Sequence, residues 1–273
     1  MQKTLLVCWM FAGLMPARAA ELKPETAASF DRYIHGFEAR MDEDARDNRF
    51  LVVDHLPAVP RHEAYGQLQR GQFYIEESDH PAHIPSGLIH HWAGVTFIPE
   101  ATLSEVLAVF QDYDNYRNIF KPLVRQSALI EHRGNESKIY LQLFYKSLVT
   151  VALNAHFEVS DKQFVATRRQ SACRSTSIAE LANLGKPDEY ERPPGDDHGY
   201  LWRLYSYWRF EEKDGGVYVQ NESVALSRSV PAIFAWLVNP LVKSIPRDIL
   251  IHLLTATRNA VTKSGTSARL TRQ

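Results

Sequence analysis

Long strand-like segments joined by short turns dominate the second half of the chain, and they restrict the fold more than any other feature. Turn residues separate several of the segments, at Arg133-Gly134-Asn135, Ser160-Asp161-Lys162 and Asp214-Gly215-Gly216. Segments joined in this way pair with their chain neighbours as an antiparallel meander. The strands that we predict lie near Val124–His132, Lys138–Lys146, Leu148–Ser160, Gln163–Ala179, Tyr200–Glu212 and Val217–Arg228.

Helices are predicted on both sides of this meander. Leu88–Ile98 has the composition of a strand, and Thr102–Phe120 follows it with helical spacing of apolar residues. Thr102 with Glu105 three residues later forms a capping-box pattern at the start of that helix. After the meander, a short helix at Pro231–Val238 is interrupted by Pro240, and a longer one runs from Pro246 to about Lys263. Residues 264–273 are expected to form a flexible tail.

The region before Leu88 is predicted to be an N-terminal extension, residues 20–87. Its clearest element is an amphipathic helix from Pro24 to about Asp47, with apolar residues at helical spacing. Short extended pieces are predicted at Leu51–Val53 and Tyr65–Ile75. The stretch Glu76–Gly87 is rich in turn-forming residues and is predicted to be a linker.

The first residues have the pattern of a secretory signal peptide. Lys3 precedes the uncharged run Leu5–Met15, which falls short of the roughly 20 residues that a membrane span requires. Ala17-Arg18-Ala19 then matches an A-x-A cleavage site. We therefore expect cleavage after Ala19 and an exported, soluble mature protein, periplasmic or secreted.

The composition is that of a globular protein and excludes several classes. Hydrophobic residues make up 45% of the chain, which is enough for a full core and excludes disorder of its bulk. Lys and Arg number 31 against 32 Asp and Glu, so the composition offers no basic excess for nucleic-acid binding. Cys173 is the one cysteine outside the predicted signal peptide, so no internal disulfide is expected.

Strand, helix, long meander and final helix, in that order, resemble the START-like superfamily, also called SRPBCC. The resemblance rests on Phe97-Ile98-Pro99 leading into Leu107–Tyr116, on Trp208–Val219 with Leu226-Ser227-Arg228, and on Ser244–Leu250. It implies an α+β helix-grip fold over residues 88–263, in which a curved antiparallel sheet wraps around a long C-terminal helix. It also implies an apolar cavity between the sheet and that helix. Relatives include lipid-transfer, coenzyme-Q-binding and polyketide cyclase proteins.

Polar and aromatic residues within the predicted strands, and one tryptophan in the final helix, are the candidate cavity contacts. Ligand cavities are mostly apolar with a few orienting polar groups. Strand alternation places some of these side chains on the solvent face instead, and the aromatic ones also suit a core, so both interpretations stay open. The candidates are Gln142, Asn154, His156, Trp202, Tyr205, Tyr207, Glu222 and Trp236.

Motifs for catalysis or metal binding are sparse. The sequence has no G-x-S-x-G, P-loop or C-x-x-C pattern. His80, His83, His90 and His91 cluster beside Asp79, but alternation along a strand sends His90 and His91 to opposite faces. We expect no metal and no cofactor. The acidic, Pro- and Gly-rich segment Leu184–Gly199 is either a surface loop or a lid over the cavity.

These observations favour an exported protein that binds or transfers a lipid or another apolar small molecule in that cavity. Transient contact with a membrane surface is part of this expectation. Two alternatives stay open. One is a polyketide cyclase or aromatase-like enzyme that uses the same cavity. The other is a non-catalytic envelope interaction module whose cavity is filled by its own side chains.

Overall fold

The computed structural model describes residues 21–77, 82–146, 150–229 and 232–270, with the side chains of residues 83, 232–244 and 266–270 excepted. The predicted signal peptide lies outside the described residues. None of the described helices is long and apolar enough to cross a membrane.

Five α-helices and ten strands make up the described chain. The helices are α1 (Pro24–Arg46), α2 (Ala58–Gln69), α3 (Leu103–Phe110), α4 (Tyr116–Ile119) and α5 (Ala232–Leu270), with 3-10 turns at Val52–His55 and Tyr113–Asn115. The strands are β1 (Tyr74–Glu77), β2 (Ala82–Ile84), β3 (Gly87–Pro99), β4 (Val124–Arg133), β5 (Glu136–Lys146), β6 (Thr150–Val165), β7 (Arg168–Ala182), β8 (Tyr190–Glu191), β9 (Arg203–Lys213) and β10 (Gly216–Arg228).

One antiparallel sheet joins these strands in the order β1-β3-β10-β9-β7-β6-β5-β4, while β2 pairs with β3 and β8 with β7. The meander from β4 to β7 and the β9–β10 hairpin confirm the strand order predicted from the sequence. β3 pairs with β10 along its whole length, from Gly87 opposite Arg228 to Pro99 opposite Gly216. The curved sheet and the final helix form the predicted helix-grip fold.

One face of the sheet, here called the inner face, lies against α5. Trp208 and Phe210 of β9 pack there with Leu250 and Leu254 of the helix. Gly94 marks the closest approach, because a Cβ at this position would lie 2.9 Å from both Leu250 and Leu254 side chains. Contacts this short are not tolerated between real atoms, so the absence of a side chain lets the helix sit directly on the sheet.

The opposite, outer face is covered by the N-terminal region. The apolar stripe of α1, including Phe30, Ile34 and Phe37, packs on a cluster of sheet residues with Tyr207 and Leu226. Beyond the end of α1, Phe50, Leu51, Val53 and Leu68 pack on Val95, Phe97 and Tyr218. Residues 24–69 therefore bury the outer face of the sheet along β3, β9 and β10, where the sheet has protein on both sides.

Several predicted elements differ from the observed ones. Residues predicted as extended from Tyr65 begin inside α2, whose only buried side chains, Ala64 and Leu68, leave too short an apolar stripe to reveal a helix. Residues 51–53 lead into a 3-10 turn rather than a strand. The predicted linker 76–87 contributes its first residues to β1 and Ala82–Ile84 to β2, both paired with β3.

Three further boundaries were wrong. The helix predicted over Thr102–Phe120 is divided, because Asp112 leaves the helical region at φ −80° and ψ 62°. The turn predicted at Ser160–Lys162 is strand, since Asp161 and Lys162 pair with Ser171 and Gln170. The final helix continues through Pro240 and Pro246 instead of restarting. The capping box of Thr102 and Glu105 is confirmed.

Candidate functional site

The inner face divides into a fully buried part and a partly buried part. Trp208 and Phe210 are less than 7% exposed beneath α5. Leu204 on β9, Ile178 on β7 and Leu253 on α5 are apolar but only partly buried. They pack against a different cluster, which includes Tyr116 and Phe157. These three apolar side chains therefore keep some exposed surface.

Buried polar atoms without partners lie on the same face. Asn221 is fully buried, and its Nδ2 donates to Ser206 Oγ at 2.7 Å. Among the described residues, the Asn221 Oδ1, Ser171 Oγ and Thr96 Oγ1 atoms are buried and find no hydrogen-bond partner, and the same holds for Nε2 of His252 on α5. An unsatisfied buried polar group costs about 1 to 3 kcal/mol. These oxygens can therefore accept hydrogen bonds from water or from a ligand.

Burial keeps the nearby titratable groups neutral. Cys173 lies between Ser171 and Ser175 on β7, and burial raises the pKa of its thiol to about 12. Burial likewise raises the pKa of the Tyr113 hydroxyl to about 12. A neutral thiol and a neutral phenol suit an uncharged ligand better than they suit general acid–base chemistry near pH 7.

A carboxylate at the end of β7 fixes the loop that follows. Glu180 accepts hydrogen bonds from the His198 backbone N–H at 3.0 Å and from its Nδ1, and Arg192 lies 3.6 Å away. Asn154 Nδ2 also donates to Glu191 Oε1 at 2.7 Å. These contacts attach both ends of the segment 191–198 to the sheet. The role of Leu184–Gly199 as a lid stays a prediction.

Four of the eight candidates named from the sequence lie on the outer face near α1. Trp202, Tyr205 and Tyr207 belong to the cluster beneath α1, where the Tyr207 hydroxyl donates to Glu38 Oε1 at 2.6 Å. Glu222 is buried beside them, and its Oε1 lies 2.8 Å from His91 Nε2.

The other candidates form a separate group. Gln142 is buried, and its Nε2 lies 3.5 Å from Asn154 Oδ1, the acceptor of the Tyr140 hydroxyl. His156, opposite Tyr140 in the ladder, is exposed. The Trp236 side chain lies outside the described residues. These candidates do not form one site, and their role as ligand contacts stays a prediction.

The sequence reasoning missed Ser171, Ile178, Leu204 and Asn221. Leu204 and Asn221 directly neighbour the candidates Tyr205 and Glu222 on the same strands, so strand alternation places them on the opposite face. The alternation was visible in the sequence, but the face that meets α5 was not.

His90 and His91 lie on opposite faces of β3, as predicted, whereas Asp79, His80 and the His83 side chain lie outside the described residues. His91 faces α1, where its Nδ1 lies 2.7 Å from the Tyr33 hydroxyl, whereas His90 Nε2 lies 3.0 Å from Ser227 Oγ. Within the described ranges, no group of three or more His, Cys, Asp or Glu side chains is placed to hold a metal ion.

Comparison with known proteins gives similarity in structure but not in sequence. No protein-family model and no curated protein sequence matches the chain. A STAR-related lipid transfer protein fragment from Xanthomonas axonopodis is similar at 16% identity and TM-score 0.46, over 70% of this chain and 98% of that one. An aromatase/cyclase from Streptomyces sp. R1128 is similar at 12% identity and TM-score 0.45, over 64% and 94%.

A START superfamily protein from Mycobacterium smegmatis is similar at 11% identity and TM-score 0.42, over 63% of this chain and 97% of that one. Each of these three matches spans most of the other protein's chain. With identities below 20% and TM-scores below 0.5, they carry no information about ligand or activity.

Proposed function

We propose that this protein binds an apolar small molecule or lipid between the inner face of the sheet and α5. The proposal rests on one observation: partly exposed apolar side chains and unpartnered polar oxygens lie on the same face of the sheet. Leu204, Ile178 and Leu253 supply the apolar surface, and Asn221 Oδ1 and Ser171 Oγ supply the acceptors. Binding pockets for small molecules combine these two elements.

The expected mechanism is sequestration from water. Burying about 300 Å² of apolar ligand surface is worth about 7 kcal/mol. A hydroxyl or amide N–H of the ligand would donate to Asn221 Oδ1 and remove the penalty of leaving that oxygen unpaired. The neutral states of Cys173 and Tyr113 favour a ligand whose buried part is uncharged.

Filling the inner face tests the proposal. The probe is N-phenyl-1-naphthylamine, an uncharged apolar dye whose fluorescence rises when it leaves water. We expect saturable binding to the wild type and at least ten-fold weaker binding to Leu204→Trp and Ile178→Trp, because the added rings occupy the ligand's space. Ile130→Trp is the control, since Ile130 is 60% exposed. Equal binding by the two inner-face variants and the wild type would contradict the proposal.

The natural ligand is sought separately. Native mass spectrometry of gently purified protein, followed by organic extraction, should reveal a stoichiometric apolar compound that is absent from Leu204→Trp. A wild-type protein that is empty and also fails to bind the dye would favour the interaction-module alternative.

We propose further that the chain is exported, on the strength of the signal-peptide pattern alone. Fractionation of the producing cells should find the protein outside the cytoplasm. N-terminal sequencing should then begin at Ala20, one residue after the predicted cleavage site. A cytoplasmic protein that retains residues 1–19 would overturn this assignment.

A further inference from the structure

A cavity lies outside the inner face, at the edge of the sheet beside β3. It has a volume of about 600 Å³, within the range of small-molecule sites. Three elements surround it: the end of α2, the end of β3, and the part of α5 around Arg258–Lys263. Its lining residues are Leu68, Gln69, Gly71, Phe97, Pro99, Arg258, Asn259, Thr262 and Lys263. We call it the edge cavity.

The floor of the edge cavity is apolar and firmly packed. Leu68 is fully buried and Phe97 is 5% exposed, and both belong to the cluster that joins the N-terminal region to the outer face. Pro99 completes the apolar surface where β3 ends. This floor belongs to the outer-face side of β3, so the edge cavity is separate from the space around Leu204 and Ile178.

The charged residues that line the edge cavity are both cationic. They are Arg258 and Lys263, and no carboxylate from the described part of the chain lines the cavity. Glu100 follows Pro99 in the chain but is not part of the lining. Neither cation takes part in an ion pair with another described residue. The positive charge of this wall is therefore available to an anion.

Arg258 is also held in place before any ligand arrives. Its Nη1 donates to the Gly71 carbonyl oxygen at 2.8 Å, and its Cζ lies 4.7 Å from the centre of the Phe73 ring. A guanidinium fixed by two contacts loses little further freedom on binding and keeps other N–H donors for a ligand. Lys263 is exposed and can move to reach the same anion.

From this arrangement we propose that the edge cavity binds a single-chain amphipathic anion, with its apolar part on Leu68, Phe97 and Pro99 and its carboxylate or phosphate at Arg258 and Lys263. The site is distinct from the inner-face site and does not depend on it. It is formed jointly by the N-terminal region and α5, so its ligand contacts both.

Decanoate, decyl phosphate and decanol are the probes, and Leu204→Trp is the background, because it blocks the inner face. Isothermal titration should show binding of decanoate and decyl phosphate and at least ten-fold weaker binding of decanol. Adding Lys263→Glu should weaken decanoate binding at least ten-fold. Lys121→Glu, at an exposed position outside the cavity, makes the same charge change and should leave binding unaltered.

Location is tested by photo-crosslinking with a diazirine analogue of decanoate. Labelled peptides should contain residues 68–71 or 258–263, and Asn259→Trp, which fills the cavity from its exposed helical position, should remove the label. Crosslinks confined to 171–206, equal affinity for decanol and decanoate, or an unchanged affinity in Lys263→Glu would each overturn the proposal. The difference in affinity between decanoate and decyl phosphate identifies the preferred head group.

Discussion

At the scale of single residues, Arg209 connects the N-terminal region to the sheet. The guanidinium is 3% exposed and donates to the Phe50 and Met41 carbonyl oxygens at 2.7 and 2.8 Å, and to Gln170 Oε1 at 3.0 Å. Burial lowers the pKa of Arg209 from its usual value. The group stays protonated near pH 7 because an arginine pKa begins above 12. The Phe50 carbonyl lies outside the helices and strands, and Arg209 supplies it with a hydrogen-bond donor.

Replacing this residue tests its contribution. Arg209→Met keeps much of the apolar stem but removes three hydrogen bonds and leaves the Phe50 carbonyl without its side-chain donor. We expect the free energy of unfolding to fall by about 3 kcal/mol. Urea denaturation followed by tryptophan fluorescence measures the change. Arg133→Met, at a side chain that is 83% exposed, should change stability by less than about 0.5 kcal/mol. Equal effects at both positions would contradict the role given to Arg209.

His90 should make stability depend on pH. Burial lowers the pKa of its imidazole to about 4, against about 6.5 in an unfolded chain. The folded state therefore favours the neutral ring. This contribution is complete above about pH 6.5 and is lost as the pH falls towards 4. Between pH 7 and pH 5 the wild type should lose about 2 kcal/mol more unfolding free energy than His90→Asn.

Urea denaturation at the two pH values measures this difference, because carboxylates elsewhere contribute equally to both proteins. His35→Asn, at an exposed position on α1, should behave like the wild type. A pH dependence that is unchanged in His90→Asn would show that the imidazole is not responsible.

At the scale of elements, the sequence predicted individual helices and strands but not which of their surfaces pack against each other. The stripe of Phe30, Ile34, Phe37 and Met41 predicted α1 almost to its ends, and all four side chains are buried. That the stripe packs on the outer face could not be predicted, because the sheet residues beneath it, such as Tyr207, lie far away in the chain. The same limit explains why the candidate cavity contacts were assigned without knowing which face meets α5.

The capping box of α3 offers a quantitative test at this scale. The Thr102 Oγ1 accepts from the Glu105 backbone N–H, while Glu105 Oε2 accepts from the Thr102 N–H at 2.8 Å. We expect Thr102→Ala to lower the unfolding free energy by about 1 kcal/mol. Ser104→Ala on the same helix is the control, and thermal and urea unfolding should show little change for it. An equal effect of both substitutions would indicate general helix propensity rather than capping.

At the scale of the whole molecule, the N-terminal region packs on the outer face of the sheet at β3, β9 and β10 and forms part of the same core. Ile89, Tyr207, Val224 and Leu226 are each no more than 1% exposed beneath α1. Such a face, if uncovered, forms an apolar patch that promotes association. The predicted boundary between an extension and a START-like domain at residues 87 and 88 can therefore be tested directly.

A chain that begins at residue 71 retains every strand but lacks α1 and α2. We expect it to aggregate, or to bind the dye ANS strongly, because the outer face is exposed. Size-exclusion chromatography and ANS fluorescence provide the measurement. A monomer with the same cooperative thermal transition as the chain that begins at residue 20 would show instead that residues 88–263 fold without the N-terminal helices.

The contact of the first helix with the last strands also has a consequence for the order of folding. Glu38 and its hydrogen-bond partner Tyr207 are separated by 169 residues, and His91 and Glu222 by 131. Pairings this distant must wait until most of the chain has been synthesised, and folds dominated by them form slowly. During synthesis α1 emerges first and has no surface to pack on, so its apolar stripe is open to chaperones until β9 and β10 follow.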